Sequence, residues 1–247
     1  MSRSGRHSAC ALSIRARGSV MIHVVTAANR QRYAKAVDEH HIIRHEIFVE
    51  ERGWRELSHP DQREIDAYDT ADTIYLLAMD EHRVIGGHRL FPTVLPHMIS
   101  EVFPYLVTRG PIPSGPDIFE WSRFFVQRKY RSGKTYFELL AAVQEFCLRV
   151  GITRITGVIE MWWLPRFHEA GFEVRPLGLP HPVEGVPTLA IEIEISRVSL
   201  DQARSLGKIA GSLIWRGLKD LPLMSFSDGG ERPPAFQYIV DRHRDIV

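Results

Sequence analysis

One stretch limits the folds open to this chain more than any other. Residues 118–126, IFEWSRFFV, are apolar enough for a buried strand. They are followed by GKTYFELLAAVQEFCLRVG, the strongest helical pattern in the sequence. Phe137, Leu140, Ala141, Gln144, Cys147 and Leu148 line one face of that helix, and Gly151 stands where a C-terminal cap belongs. ITRITGVIE (152–160) then returns to strand. A strand, an amphipathic helix and a strand in direct succession call for helices packed on a sheet.

The rest of the chain extends this pattern. IHVVT (22–26) predicts a first strand, and Asn29 is placed to cap a helix over about 30–46, with Tyr33, Val37, His41 and Ile47 drifting along one face. Residues 49–72 are polar and broken by Gly53 and Pro60, which predicts a long loop of the kind that is usually functional or disordered. TIYLLAM (73–79) and RVIGGHRLF (83–91) predict paired strands, HMISEVF (97–103) a short helix, and a proline-rich loop leads into 118. WWLPRFHEAGF predicts a short helix stopped by Gly171, and EVRPLG and TLAIEIEIS two closing strands. The expected fold is a three-layer α-β-α sandwich around one mixed central sheet.

With 247 residues, 44% of them hydrophobic, the chain suits one domain with tails. We expect a disordered or non-native extension at 1–20, where Met21 is a plausible natural start, then a domain at 21–205 and a turn-rich tail of unknown role at 206–247. Lys plus Arg number 31 and Asp plus Glu 30, without a long basic run, which argues against nucleic acid as a partner. No apolar run reaches the roughly 18 residues of a membrane span. The two cysteines, Cys10 and Cys147, form no metal pair or disulfide framework, so a reducing cytoplasm is expected. Twelve histidines include His40, His41 and His45 but no HExxH spacing, so no metal is expected.

IFEWSRFFV carries an acid, Glu120, and a base, Arg123, three residues apart. In a regular strand they would point to opposite faces. A β-bulge between them would bring them onto one face, and bulges favour the neighbourhood of active sites. The alternative is that Glu120 points outward and Arg123 pairs elsewhere. The following loop, QRKYRSGKT, holds Gly133 and four cations, Arg128, Lys129, Arg131 and Lys134. With the backbone N–H groups opening the next helix these could hold a phosphate, or they could simply be a solvated basic loop.

Several separated motifs then align. RHEIF and the Gly-Trp that follows hold Arg44, Phe48 and Trp54; IDAYD holds Asp66 and Asp69; GGHRLFPT holds Arg89; SEVFP holds Phe103; EWSRFFV holds Glu120, Ser122 and Arg123. Together, from about Met21 to about Ser196, they resemble the LuxI-type autoinducer synthases, the acyl-homoserine-lactone synthases of bacterial quorum sensing. That family is similar in fold to the acyl-CoA N-acyltransferases (GNAT-like). The resemblance implies two substrates, S-adenosylmethionine and an acyl thioester, with no separate cofactor. It implies that the methionyl amine attacks the thioester to form an amide. The methionyl carboxylate then displaces the sulfonium group, closing a lactone and releasing methylthioadenosine. It further implies that the region of the first helix and loop closes over substrate.

An α-amine with a pKa near 8 must lose a proton before it attacks, and Glu120, directly or through a water, is the expected acceptor, with Arg123 beside it. Asp66 and Asp69 could bind the ammonium and sulfonium ends of the substrate, or be turn residues. Arg44, Arg89, Arg123 and Ser122 are candidates for holding the carboxylate and the acids; Phe48, Trp54 and Phe103 for covering the adenine and sulfonium. Trp54 could equally be a core aromatic and Arg44 a surface helix residue.

For the acyl donor, IEMWWLPRFHEAGF departs from the small hydroxyl residue of many 3-oxo-acyl members: Glu160 is followed by Met161, Trp162 and Trp163. This run and PLGLP (176–180) look like the subgroup that uses branched-chain or aryl acyl-CoA. Two indoles would shorten an acyl tunnel, although either could be plain core. Acyl-CoA is therefore preferred to acyl carrier protein. The alternatives are a straight-chain, carrier-protein-dependent homoserine-lactone synthase and an N-acyltransferase acting on another amine.

Overall fold

The computed structural model describes residues 20–215; the expectations for residues 1–19 and 216–247 lie outside the described residues. Eight strands form one sheet: β1 (Met21–Val25), β2 (Ile74–Asp80), β3 (Arg83–Pro92), β4 (Ile118–Val126), β5 (Arg154–Glu160), β6 (Val174–Pro176), β7 (His181–Val183) and β8 (Val186–Glu194). Their order is β1-β2-β3-β4-β5-β8-β6, with β7 also on β8. β4 and β5 are parallel and the other pairs antiparallel. The helices are α1 (Ala34–Arg44), α2 (Met98–Glu101), α3 (Thr135–Val150), α4 (Leu164–Glu169) and α5 (Arg197–Gly207).

The expected three layers are present. β2 carries no charge from Ile74 to Met79 because both of its faces are covered there. Ile74, Leu76 and Ala78 face α3, where Leu139, Leu140, Val143 and Phe146 complete the larger core. Tyr75, Leu77 and Met79 face α1, against Val37, Ile43, Ile47 and Phe48. α4 and α5 join the α3 face through Phe167, Leu200 and Ala203. α2 lies on the opposite face, where Ile99 and Leu106 pack on Leu177 and Ala190. α3 ends at Gly151 in a left-handed cap, as its sequence predicts.

Two departures have local causes. Asn29 does not cap α1: its side chain accepts the Thr26 N–H and donates to the Val24 carbonyl, bracing a turn that delays the helix to Ala34. α5 was not expected; Ser196 opens it by accepting the Ser199 N–H, and Leu200 and Ala203 bury its inner face. Past residue 205, the described chain returns to the sheet. Ile22 donates to the Leu213 carbonyl and accepts from the Trp215 N–H, which lays buried Ile214 alongside β1.

Two distortions shape the sheet's centre. Between β3 and β4, Arg89 pairs with Ser122 but Gly87 pairs with Phe125, so β4 holds one residue more than β3 does. Arg123 takes up the extra length with φ of 54°, in the left-handed region. Between β4 and β5, pairing lasts only from Ile118–Arg154 to Glu120–Thr156. Gly157 sits where the strands begin to part; a Cβ there would lie 2.9 Å from the Trp121 carbonyl oxygen.

Candidate active site

The bulge decides which way β4 side chains face. Trp121 and Phe124 point to the α3 side, their rings 5.5 Å apart, and Phe124 meets Tyr136 of α3 and Trp163. Ser122 and Arg123 point the other way, and Glu120 shares that side, reaching α2. The acid and the base of β4 thus lie on one wall.

On that wall three arginines and three carboxylates alternate in a closed ring. Arg44 donates through Nε to Glu64 at 2.5 Å and through Nη1 and Nη2 to both Asp69 oxygens at 2.8 and 2.9 Å. Arg89 donates to both Asp66 oxygens at 2.5 and 2.9 Å, lies 3.1 Å from Asp69, and reaches Ser122 Oγ at 3.0 Å. Arg123 closes the ring, donating to both Glu64 oxygens at 3.0 Å and to Asp66 at 2.8 Å. The Tyr75 hydroxyl also donates to Asp69, at 2.8 Å.

The acids come from the chain between α1 and β2, and the arginines from α1, β3 and β4. α1 continues as a π-helical turn, His45–Glu51, whose wider winding carries Phe48 towards Arg123. The charges of the ring cancel, and bidentate arginine–carboxylate geometry offsets the cost of burying them. Burial by itself pushes the Glu64 carboxyl up, but Arg44 and Arg123 outweigh it and hold the pKa at about 2. Asp69 is likewise lowered against its burial by Arg44 and Arg89. Its side chain has no exposed surface, so it braces the ring and does not face solvent. Asp66 (15% exposed) and Arg123 (9%) are the ring members whose side chains reach the surface.

Glu120 lies beside the ring, almost wholly buried. Its two oxygens accept the backbone N–H groups of Met98 and Ile99, the first turn of α2, at 2.9 and 2.8 Å. Burial raises its pKa despite those hydrogen bonds, which suits a carboxylate that must take up a proton near neutral pH.

Aromatic groups flank the ring. Phe48 and Trp54 stack at 5.2 Å, and the Arg123 guanidinium lies over Phe48 at 5.7 Å. Phe103 does not join them; it packs beside Ile99 and Leu106 and meets Tyr105. Tyr68, which sequence reasoning passed over, lies under the Arg89 guanidinium and donates to Glu101.

Across the parted strands, the three candidate acyl-pocket residues separate. Trp163 points inward, against Phe124, Tyr136 and Phe167 at 5.6, 6.2 and 5.6 Å. Trp162 stacks on it from outside at 4.6 Å and is exposed, as is Met161. Trp162 therefore covers the outside of an aromatic cluster that Trp163 forms with Phe124, Tyr136 and Phe167. The Tyr136 hydroxyl and Trp121 Nε1 are buried there without a protein partner.

The four basic residues lie in the exposed loop before α3. Arg131 pairs with Glu51 at 2.7 Å, Lys129 lies over the Tyr130 ring, and Lys134 precedes the first turn of α3. Among the described residues no group of three His, Cys, Asp or Glu side chains is placed to hold a metal ion, and no helix is long and apolar enough to cross a membrane.

Glu64 is the member of the charged ring that the motifs missed. The available signal was its spacing: two residues before Asp66 in an extended stretch, it shares that residue's side.

The family model for the autoinducer synthases matches residues 28–203. The isovaleryl-homoserine lactone synthase of Bradyrhizobium diazoefficiens is 54% identical over 181 residues, 73% of this chain and 83% of that protein. Among solved structures, BjaI, a CoA-dependent acyl-homoserine lactone synthase with SAM and isopentyl-CoA, superposes with a TM-score of 0.77 at 50% identity, covering 79% of this chain and 92% of BjaI. MesI, also a CoA-dependent acyl-homoserine lactone synthase, superposes at 0.75 with 35% identity, covering 79% of this chain and all of MesI.

Proposed function

This chain belongs to the autoinducer synthase family, and from that premise we propose that it makes an N-acyl-L-homoserine lactone from S-adenosylmethionine and a branched-chain acyl-CoA, releasing methylthioadenosine. It is an acyltransferase, and both small molecules are consumed as substrates. The observation that carries the reading is the neutral ring of Arg44, Glu64, Arg123, Asp66, Arg89 and Asp69 beside Glu120, at the point where β4 and β5 part.

The residues divide the work as follows. Asp66, the ring carboxylate open to the cleft, receives the substrate ammonium, and Arg123 beside it receives the methionyl carboxylate. Phe48 and Trp54 cover the sulfonium and adenine. Glu120, with its pKa raised, takes the ammonium proton directly or through a water. The freed amine attacks the thioester carbonyl, the amide forms, and the thiolate leaves. The methionyl carboxylate then displaces the sulfonium, closing the lactone. Asp69, Ser122 and Glu64 hold these groups in place.

The acyl group lies against Trp163, Phe124, Tyr136 and Phe167, a wall that suits a short branched chain better than a long straight one. The loop cations Arg128, Lys129, Arg131 and Lys134 and the start of α3 receive the CoA phosphates. CoA is preferred to acyl carrier protein because both structural relatives described above are CoA-dependent enzymes. We place the reaction in the cytoplasm, where a reduced Cys147 is stable.

The test is incubation of the purified protein with S-adenosylmethionine and a panel of branched, aryl and straight-chain acyl-CoAs and acyl carrier proteins, with mass spectrometry of the products. An isovaleryl-type homoserine lactone is expected as the main product. No lactone from any donor would overturn the reading.

A further inference from the structure

The groups between the two substrate walls form one continuous stack. The Arg123 guanidinium lies 5.7 Å from the Phe48 ring centre, and Phe48 stacks on Trp54 at 5.2 Å. The Arg52 guanidinium lies 5.6 Å from Trp54 and 5.6 Å from Trp162, and Trp162 stacks on Trp163 at 4.6 Å. The stack therefore runs from the ring of six charges to the acyl wall, with Arg52 joining its halves.

Arg52 is fastened on the acyl side by charge as well. Its Nη1 donates to Glu160 Oε1 at 3.0 Å, and the other oxygen of Glu160 accepts the Trp162 indole N–H. On the amine side the chain turns at Gly53, in the left-handed region at φ 78°, and the Trp54 N–H donates to the Phe48 carbonyl at 2.9 Å. Arg52 thus stands at the root of the turn that sets Trp54 on Phe48, and its side chain holds that turn to the end of β5. None of the chemical steps above uses it.

We propose that Arg52 is a positioning residue that couples the two pockets, so that filling either one strengthens binding in the other. The inference rests on the proposed function. An acyl group packed on Trp163 steadies Trp162 and Glu160; these steady Arg52, and Arg52 steadies Trp54 over the amine substrate. By linkage the effect runs equally in reverse. A guanidinium suits the task because its flat face meets indoles while its edge donates to a carboxylate, which an ammonium cannot match.

The test is titration of the full chain with S-adenosylmethionine, alone and with a saturating non-transferable thioether analogue of isovaleryl-CoA. In the native protein the analogue should tighten S-adenosylmethionine binding about fivefold or more, within the usual range for coupled sites. In Arg52→Ala that ratio should fall to within about twofold of unity, and Arg52→Lys should recover little of it. Glu160→Gln, which loosens the clamp without shortening a side chain, should give a ratio between the two. In turnover, Arg52→Ala should raise KM for both substrates much more than it lowers kcat. An unchanged ratio in Arg52→Ala, or no tightening in the native protein, would overturn the inference. If lactone still forms in either case, the proposed function stands without it; if no lactone forms, the function itself fails.

Discussion

Arg44 and Arg123, 79 positions apart in sequence, hold the same carboxylate: Arg44 donates to Glu64 Oε2 at 2.5 Å and Arg123 to both Glu64 oxygens at 3.0 Å. Glu64 thereby ties α1 to the bulge of β4. Replacing it with Gln leaves two buried guanidiniums short of charge. Removing one partner of a buried ion pair costs about 3–5 kcal/mol. Glu64→Gln should lower stability by about that much in urea denaturation and cut lactone synthesis as well; a loss below about 1 kcal/mol would show that the ring tolerates the gap.

Glu120→Gln keeps the side chain's size and can still accept one of the two α2 N–H bonds, while removing the proposed proton acceptor. Turnover should fall by about 10²-fold or more, while the affinity for S-adenosylmethionine stays within a few-fold. Unaltered turnover would show that another group takes the proton.

Trp163 packs inward on Phe124, with Trp162 stacked outside it, and is the proposed inner wall for the acyl group. Trp163→Ala should shift the ratio of kcat/KM values towards longer acyl-CoAs by about tenfold or more, consistent with about 1–3 kcal/mol for a methylene-scale change in a pocket. An unaltered donor profile in a competition assay would refute this role for Trp163.

His88 is wholly buried between Trp121 and Phe124, and its burial pushes its pKa down to about 3. A lowered folded value means that the unfolded chain takes up the proton first. The stability this neutral histidine contributes is therefore complete above pH 6.5 and is lost as pH falls towards 3, at up to about 1.4 kcal/mol per pH unit. Glu64, lowered to about 2, adds its own loss below about pH 4.5. His88→Phe should make the stability profile between pH 6.5 and 4.5 less steep by up to about 1.4 kcal/mol per pH unit, leaving the part due to His23, His40 and His41, which burial also lowers, in a range where Glu64 does not yet contribute. The same slope in both proteins, measured by denaturation at a series of pH values, would contradict the assignment.

What the sequence made legible follows from periodicity and local chemistry. The strand–helix–strand run of β4, α3 and β5 was readable because burial imposes a short repeat on each segment, and Gly151 marked the helix end. The bulge could be posed from the spacing of Glu120 and Arg123, but only the pairing of β3 with β4 shows that it exists. The ring was half readable. Each motif supplied one or two members, yet that Asp69 turns inward while Asp66 stays partly exposed depends on contacts between distant segments. Arg52 gave no signal, because its partners Glu160 and Trp162 lie more than a hundred residues away. α5 was passed over because little of its surface is apolar: of its buried residues, Ser199, Leu200, Ala203 and Gly207, Leu200 alone is a large apolar side chain.

The additional residue in β4 has a consequence for how such an enzyme can diversify. It sets Trp121 and Phe124 on one side and Glu120, Ser122 and Arg123 on the other, and under the proposed function this divides recognition of the donor from formation of the bond. Substitutions along the aromatic side can alter the signal molecule that is made while the machinery behind it stays intact, so a new dialect of the message needs no new catalyst.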